Sequence, residues 1–150
     1  MKYIILFYFI LIGFVSQGQS YHITPIKVED GLSQNVVCNM LQDRRGSIWF
    51  ATQKGITVFN GVDYTYINDT NGLQSEIVYC LFEDVKGHIW IGTHKGLTVY
   101  DGENFRTYTM DDGLTSNIIK CVFEDVNSRL WIGTQYGGLC VLDDVSVKSN

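Results

Sequence analysis

Two adjacent pairs of carboxylates, Glu83–Asp84 and Glu124–Asp125, are the residues of this chain that most resemble catalytic groups. Neighbouring carboxyl groups can divide the roles of general acid and general base between them. The two pairs lie 41 residues apart, however, and each stands at a predicted turn. Because an enzyme seldom repeats its active site along one chain, this recurrence indicates a structural role, and we predict no catalytic residue here.

The histidines also lack the spacing that metal binding requires, and the sequence lacks common phosphate-binding and nucleophile motifs. His22, His88 and His94 do not follow a metal-ligand pattern, and the sequence has neither a Gly-Lys-Ser/Thr phosphate loop nor a nucleophile elbow. We therefore expect no metal, no cofactor and no enzymatic activity. The formal net charge of -5 and the lack of a basic run argue against nucleic acid or an anionic membrane surface as a partner.

The elements that would position any site repeat three times with the same period of 41 residues. A repeat of this length is a supersecondary unit that buries its apolar faces only by stacking on a neighbour. The middle copy contains four short apolar or alternating segments separated by Asp- and Gly-rich turns, at residues 77–82, 88–93, 97–100 and 104–109. Four short strands in about 40 residues are typical of a β-propeller blade.

The sequence therefore predicts an all-β chain with three four-stranded antiparallel blades in an incomplete ring. The predicted blades cover residues 31–71, 72–112 and 113–150, with the fourth strand of the last blade truncated. Residues 19–30 would supply a linker and a leading strand at 21–26, which would act as the fourth strand of a closing blade. We expect Trp49, Trp90 and Trp131, one in each second strand, to pack between adjacent blades rather than stack on a ligand, because an indole buries about 150–250 Å².

The N-terminal residues predict export. Lys2 precedes an uncharged apolar run over residues 3–15, and the small residues Ser16 and Gly18 lie at the -3 and -1 positions of a cleavage site. This pattern is typical of a signal peptide over residues 1–18, cut near Gly18 and Gln19, and the run is short for a membrane span. The chain would then be periplasmic or secreted without a membrane span after cleavage; an uncleaved anchor is the alternative.

Four cysteines in an exported chain could form disulfides. Cys80 and Cys121, however, occupy the same position in successive repeats, while Cys38 and Cys140 lie elsewhere in the repeat. Equivalent strands of stacked sheets are about 10 Å apart, which exceeds the Cα separation of about 7 Å that a disulfide allows. We expect four buried free thiols.

The repeated residues resemble a known family. The middle copy carries Gly72-Leu73, Glu83-Asp84, Ile89-Trp90-Ile91-Gly92-Thr93 and Tyr100-Asp101-Gly102, which together are similar to the two-component regulator propeller repeat. This resemblance implies a periplasmic propeller at the front of a hybrid histidine kinase of Bacteroidetes-type bacteria, a sensor that typically detects oligosaccharides from polysaccharide breakdown. Such sensors have more blades, a β-sandwich, a transmembrane helix and kinase modules. A truncated sensor gene, a gene-prediction fragment or a piece that completes its ring by self-association would each explain the difference.

The loops that vary between the fixed positions are the candidate binding site. The turn between the second and third strands of each copy should lie on the same rim as the loop that enters the first strand, and binding residues favour loops on rigid scaffolds. Amides, hydroxyls and an exposed tyrosine on this rim could bind sugar hydroxyls, although a solvated rim without a ligand is the alternative. The candidate residues are Gln53, Lys54, His94, Lys95, Gln135 and Tyr136.

We interpret the chain as an exported, non-catalytic propeller segment that senses a ligand, with an oligosaccharide as the expected partner. Further propeller blades or other copies of the chain would complete the ring. Two alternatives stay open at this point: a self-assembling module for binding or scaffolding, and a fragment of a propeller enzyme.

Overall fold

The computed structural model describes residues 20–143, so the predicted signal peptide and the predicted last strand of the third blade lie outside the described residues. The described chain forms three antiparallel sheets that do not close into a ring. The first contains β1 (Val37–Gln42), β2 (Ile48–Thr52), β3 (Gly55–Phe59) and β4 (Tyr64–Ile67). The second contains β5 (Val78–Glu83), β6 (Ile89–Thr93), β7 (Leu97–Tyr100) and β8 (Phe105–Tyr108), and the third β9 (Ile119–Glu124), β10 (Leu130–Thr134) and β11 (Leu139–Leu142).

Within each sheet the strands follow one another in chain order, so each sheet is the antiparallel meander that the repeats predict. In the middle copy, the strand ends agree with the sequence prediction to within one residue. Two single-turn 3-10 helices, Val28–Asp30 and Met110–Asp112, precede the Gly-Leu pairs of the first and third copies. Within residues 20–143, the structure has no helix with the length and apolar character that a membrane crossing requires.

The aspartate of each repeat organises the turn between the first two strands. The carboxylate Oδ1 of Asp84 accepts hydrogen bonds from the backbone N–H groups of Lys86 at 2.9 Å and His88 at 2.8 Å. The backbone N–H of Gly87 donates to the carbonyl oxygen of Asp84 at 3.0 Å, which closes a β-turn. The Asp43 and Asp125 carboxylates accept equivalent backbone bonds.

The same carboxylates hold the tryptophans. Six residues after each aspartate, an indole Nε1–H donates to its Oδ2, at 2.8 Å in the first blade and 3.0 Å in the other two. Trp90 is 0% exposed and Trp49 is 5% exposed, and each belongs to a core cluster shared with the following blade. The predicted packing of these indoles between blades is therefore confirmed. Trp131 is half-buried, because no described blade follows the third.

The core lies between the sheets rather than within one of them. Alternation along each second strand turns the tryptophan towards the following blade and its two neighbours, such as Ile89 and Ile91, towards the preceding blade. The first cluster joins Trp49, Ala51 and Ile56 to Leu73, Val78, Leu81, Ile89 and Ile91. The second joins Cys80, Trp90, Leu97 and Val99 to Ile119, Leu130 and Ile132.

The acidic pairs are structural, as their recurrence predicts. Glu83 accepts a hydrogen bond from the backbone N–H of Arg44 in the preceding blade at 3.1 Å. Glu124 likewise accepts from the backbone N–H of Val85 at 2.8 Å. Each pair thus contributes one carboxylate to its own turn and one to the neighbouring blade.

Two sequence expectations are corrected. Residues 21–26 form no strand, and Tyr21 and Ile23 are more than four-fifths exposed, at 83% and 88%. A strand forms only where it can pair with the free edge of another sheet. In a closed ring this segment would pair with the third sheet, but in the open arc that sheet lies at the opposite end from residues 21–26.

The cysteines are free, but only Cys80 is buried. Burial raises the pKa of the Cys80 thiol to about 12, so it stays protonated at neutral pH. Cys38 and Cys121 are exposed and Cys140 is half-buried, contrary to the expectation of four buried thiols. Cys121 occupies the position of Cys80 but belongs to the last described sheet, whose outer face is bare.

Candidate ligand-binding rim

The turns that follow the second strands share one edge of the molecule with the loops that enter the first strands. The backbone N–H of His94 donates to the carbonyl oxygen of Ile77 at 3.1 Å, and that of Gln135 donates to Ile118 at 2.8 Å. The predicted juxtaposition of these loops is therefore confirmed. We call this edge the rim, defined by the three turns at Gln53 and Lys54, His94 and Lys95, and Gln135 and Tyr136.

A threonine at the end of each second strand fixes the rim turn. The Thr93 hydroxyl donates to the carbonyl oxygen of Gly96 at 2.9 Å and accepts from the backbone N–H of Lys95 at 3.0 Å. Thr52 makes the same two bonds, to Gly55 at 2.8 Å and from Lys54 at 2.9 Å. Each threonine thus closes its turn, and further backbone bonds tie the turns to the neighbouring entry loops, so the exposed side chains of Gln53, Lys54, His94 and Lys95 stand on a fixed frame.

The third rim turn is longer by one glycine. Thr134 donates to the carbonyl oxygen of Gly138 at 3.0 Å, one residue further along than its counterparts reach. Tyr136 adopts a positive φ of 73° and is 92% exposed. A non-glycine residue in this conformation is uncommon, and here it holds an aromatic ring in solvent at the tip of the turn. Gln135 beside it is half-buried.

Each first strand carries a β-bulge at the same repeat position. The pairing of β5 with β6 passes from Val78 to Cys80 and leaves Tyr79 without a cross-strand partner. The pairings of β1 and β9 skip Cys38 and Lys120 in the same way. A bulge redirects a side chain out of the alternation of its strand, and bulges are frequent beside binding sites.

The bulged residues lie on the inner edge of the arc. The first strand of each sheet is an edge strand, and the first strands of successive sheets pack against one another. Cys38, Tyr79 and Lys120 therefore line the side towards which the three sheets converge, next to the rim.

Three side chains from two blades meet at this place. The Tyr79 hydroxyl lies 3.2 Å from Nδ1 of His94, at hydrogen-bond distance. The Lys120 ammonium lies 3.3 Å from the centroid of the Tyr79 ring, a cation–π contact. We call these three residues the rim cluster. It presents an aromatic ring, an imidazole and an ammonium group. The ammonium group can donate hydrogen bonds to hydroxyl or acidic groups, and the imidazole can donate or accept them.

Of the six residues predicted from the sequence, the structure brings His94 into the rim cluster. Gln53, Lys54, Lys95, Gln135 and Tyr136 lie on the rim at the turns of their own blades. Sequence reasoning missed Tyr79 and Lys120. The sequence signal was a single repeat position in the first strand at which the residue type changes from Cys38 to Tyr79 to Lys120. Within residues 20–143, no group of three or more His, Cys, Asp and Glu side chains is placed to hold a metal ion.

Comparison with known families identifies the repeats. The family model of the two-component regulator propeller matches residues 31–54, 72–95 and 113–136. The three repeats belong to the two-component regulator propeller family. Each matched segment of this regulator propeller begins at a Gly-Leu pair, includes the first two strands and ends in a rim turn. The resemblance drawn from the repeated residues is thus confirmed.

Solved structures share the fold. The extracellular domain of the hybrid two component system BT3049 from B. thetaiotaomicron is 25% identical, with a TM-score of 0.68 over 77% of this chain and 17% of that one. The extracellular domain of the one component system BT4673 from the same organism is 25% identical, with a TM-score of 0.66 over 79% of this chain and 18% of that one.

PorZ, a surface component of the type-IX secretion system of Porphyromonas gingivalis, shares the fold at 22% identity, with a TM-score of 0.55 over 69% of this chain and 17% of that one. The regulator propeller thus spans about a sixth of the length of these structures. None of the curated proteins matches it.

Proposed function

We propose that this chain is a ligand-sensing propeller segment of an exported two-component sensor, that its ligand is an oligosaccharide, and that it is not itself catalytic. Membership of the regulator propeller family and the likeness to extracellular domains of hybrid two component systems support the sensor role. The observation that carries the choice of site is the rim cluster of Tyr79, His94 and Lys120.

The chemistry of this cluster suits a sugar. The apolar face of a pyranose can pack on an exposed part of an aromatic ring, and sugar hydroxyls can exchange hydrogen bonds with an imidazole and an ammonium group. Binding sites usually combine apolar or aromatic surface with a few fixed polar groups. The rim supplies both, because the threonine-closed turns hold His94 and Lys95 on a rigid frame.

Export and the lack of catalysis rest on separate arguments. The apolar N-terminal run of the sequence and the extracellular location stated for the similar domains favour a periplasmic or secreted chain. The carboxylates that could have served as acid and base are occupied with scaffold bonds, Asp84 within its turn and Glu83 to the neighbouring blade. Binding without turnover is therefore the activity that this site supports best.

The test is calorimetric titration of the purified chain with three hexasaccharides: a neutral glucan, a xylan and an anionic galacturonan. At least one should bind, and His94→Ala should weaken its binding about tenfold, the effect of losing one good hydrogen bond and part of the surface. Tyr136→Ala should also weaken it if the ligand extends along the rim to the third blade.

Glu103→Ala is the matched control. Glu103 is exposed in the turn between β7 and β8, at the opposite edge of the same blade, so its replacement should leave binding unchanged. Absence of binding for all three sugars would contradict the proposed ligand. Binding that His94→Ala and Glu103→Ala affect equally would contradict the proposed site.

A further inference from the structure

The described chain contains the same blade-to-blade interface twice and leaves one half of that interface bare at each end. The bare surface on the third blade, which we call the leading face, consists of Cys121, Phe123, Trp131, Leu139 and Val141. Its counterparts in the second blade lie in or against the core shared with the third blade. Leu97 and Val99 are 0% and 2% exposed there, whereas Leu139 and Val141 are 66% and 41% exposed.

The bare surface on the first blade, the trailing face, is the complementary half. It consists of Val37, Met40, Ile48 and Phe50, whose counterparts in the second blade face the first blade and are at most 8% exposed. Met40 is 66% exposed, against 8% for Leu81 at the same position of the next repeat. One molecule therefore presents both surfaces that a blade-to-blade contact needs.

Polar groups repeat the same complementarity. In each of the two interfaces inside the chain, a glutamate at the end of a first strand accepts a hydrogen bond from a backbone N–H in the turn between the first two strands of the preceding blade. The next donor in this series is the N–H of Val126, a residue that is 100% exposed. The matching acceptor position on the trailing face is Gln42, whose amide nitrogen donates to Gly46 at 3.3 Å and whose amide oxygen can accept.

We propose that two copies of this chain close into a single six-bladed ring, the leading face of each copy packed on the trailing face of the other. A contact between two different faces closes only if the rotations sum to a full turn. Propellers have about four to eight blades. The described part of one copy contains three blades, so two copies supply six blades and three copies would supply nine. The pair is the stoichiometry that falls in this range, and it covers both apolar faces.

Light scattering during size exclusion, at micromolar concentrations of the purified full chain, should give the mass of two copies. Phe123→Glu should abolish the pair by placing a charge on the leading face, and Met40→Glu should do the same on the trailing face. Val62→Glu is the control, because Val62 is 82% exposed in the turn between β3 and β4, outside both faces.

Mixing the two charged variants gives a sharper result. The Met40→Glu copy retains its leading face and the Phe123→Glu copy retains its trailing face, so the mixture has one intact interface and should form a pair that neither variant forms alone. A symmetric contact between identical faces would show no such rescue.

A cross-link maps the contact even if a charged variant fails to fold. A Cβ placed on Gly92 would touch both the Cys80 sulfur and Ile119, which locates these two side chains together across the second interface. The same positions across the proposed contact are Cys121 of one copy and Val37 of the other. Val37→Cys, in a Cys38→Ser background, should therefore yield a disulfide-linked pair that Cys121→Ser removes.

A wild-type chain that stays monomeric at these concentrations would overturn the proposal, as would a pair that survives both charged variants, or assemblies larger than two. A monomer would favour further blades of a longer protein as the occupants of the two faces.

Discussion

Replacing Asp84 with asparagine tests the buried hydrogen bond that ties each turn to its tryptophan. Oδ1 of Asp84 serves the backbone N–H groups of Lys86 and His88, and Oδ2 accepts from the Trp90 indole at 3.0 Å and lies 2.9 Å from Nδ1 of His88. An asparagine keeps one acceptor oxygen, which can stay with the backbone. Its amide nitrogen would then face the indole N–H, so that two donors meet and Trp90 loses its acceptor.

The magnitude follows from burial. The Asp84 side chain is 3% exposed and Trp90 is 0% exposed, so water does not replace the missing acceptor. A buried donor left unpaired costs about 1–3 kcal/mol. We expect Asp84→Asn to lower the free energy of unfolding by about this amount, a large share of the roughly 5–15 kcal/mol that a typical domain has.

The assay is urea unfolding followed by far-ultraviolet circular dichroism, in a double-mutant cycle with Trp90→Phe. Trp90→Phe removes the indole N–H and keeps an aromatic ring between the blades. In that background Asp84→Asn should cost less, and the difference isolates the Asp84–Trp90 bond. If Asp84→Asn is equally destabilising with and without the indole, the bond does not carry the effect and the reasoning is wrong.

Two further predictions concern acid stability and the second interface. Burial tends to raise the pKa of Asp84, but hydrogen bonds from Trp90 and His88 outweigh it and leave the folded-state pKa below its usual value. The ionised Asp84 carboxylate therefore makes its full contribution to the free energy of unfolding above the ordinary aspartate pKa of about 3.9. This contribution is lost as the pH falls through the lowered folded-state pKa. Urea midpoints should decrease more steeply with acid in the wild type than in Asp84→Asn, and parallel curves would contradict this. Gly92→Ala should destabilise the chain by about 1–3 kcal/mol, because the added methyl overlaps the Cys80 sulfur and crowds Ile119. Cys80→Ala in the same chain should recover part of the loss in thermal unfolding, and full stability of Gly92→Ala alone would show that the blades do not approach so closely.

Local features of the fold could be predicted because they are written into each repeat. The strands of the middle copy lie within one residue of their predicted bounds, since glycine- and aspartate-rich turns separate its short apolar runs. The constant interval of six residues from aspartate to tryptophan spans one turn and the start of one strand. Asp84 and Trp90 are thus close together in any chain that forms this hairpin.

The rim cluster could not be predicted fully, for a physical reason. Strand β5 packs against neighbours on both sides, so its residues 78–82 are all apolar or aromatic and show no alternation of polar and apolar residues. An additional residue in such a strand changes the register without changing the hydrophobic pattern. The change of residue type at this repeat position marks it as variable but does not reveal the bulge at Tyr79 or the contacts among Tyr79, His94 and Lys120.

The sequence alone determined three sheets, their turns and the family to which they belong, because short-range hydrogen bonds and the repeat period depend on residues close together in the chain. The tertiary structure decided which faces are covered. Cys80 and Cys121 hold the same repeat position, yet one is buried and the other is exposed. Their difference arises from the blade that packs on Cys80 and the bare face around Cys121, because burial depends on what lies beside a strand in space.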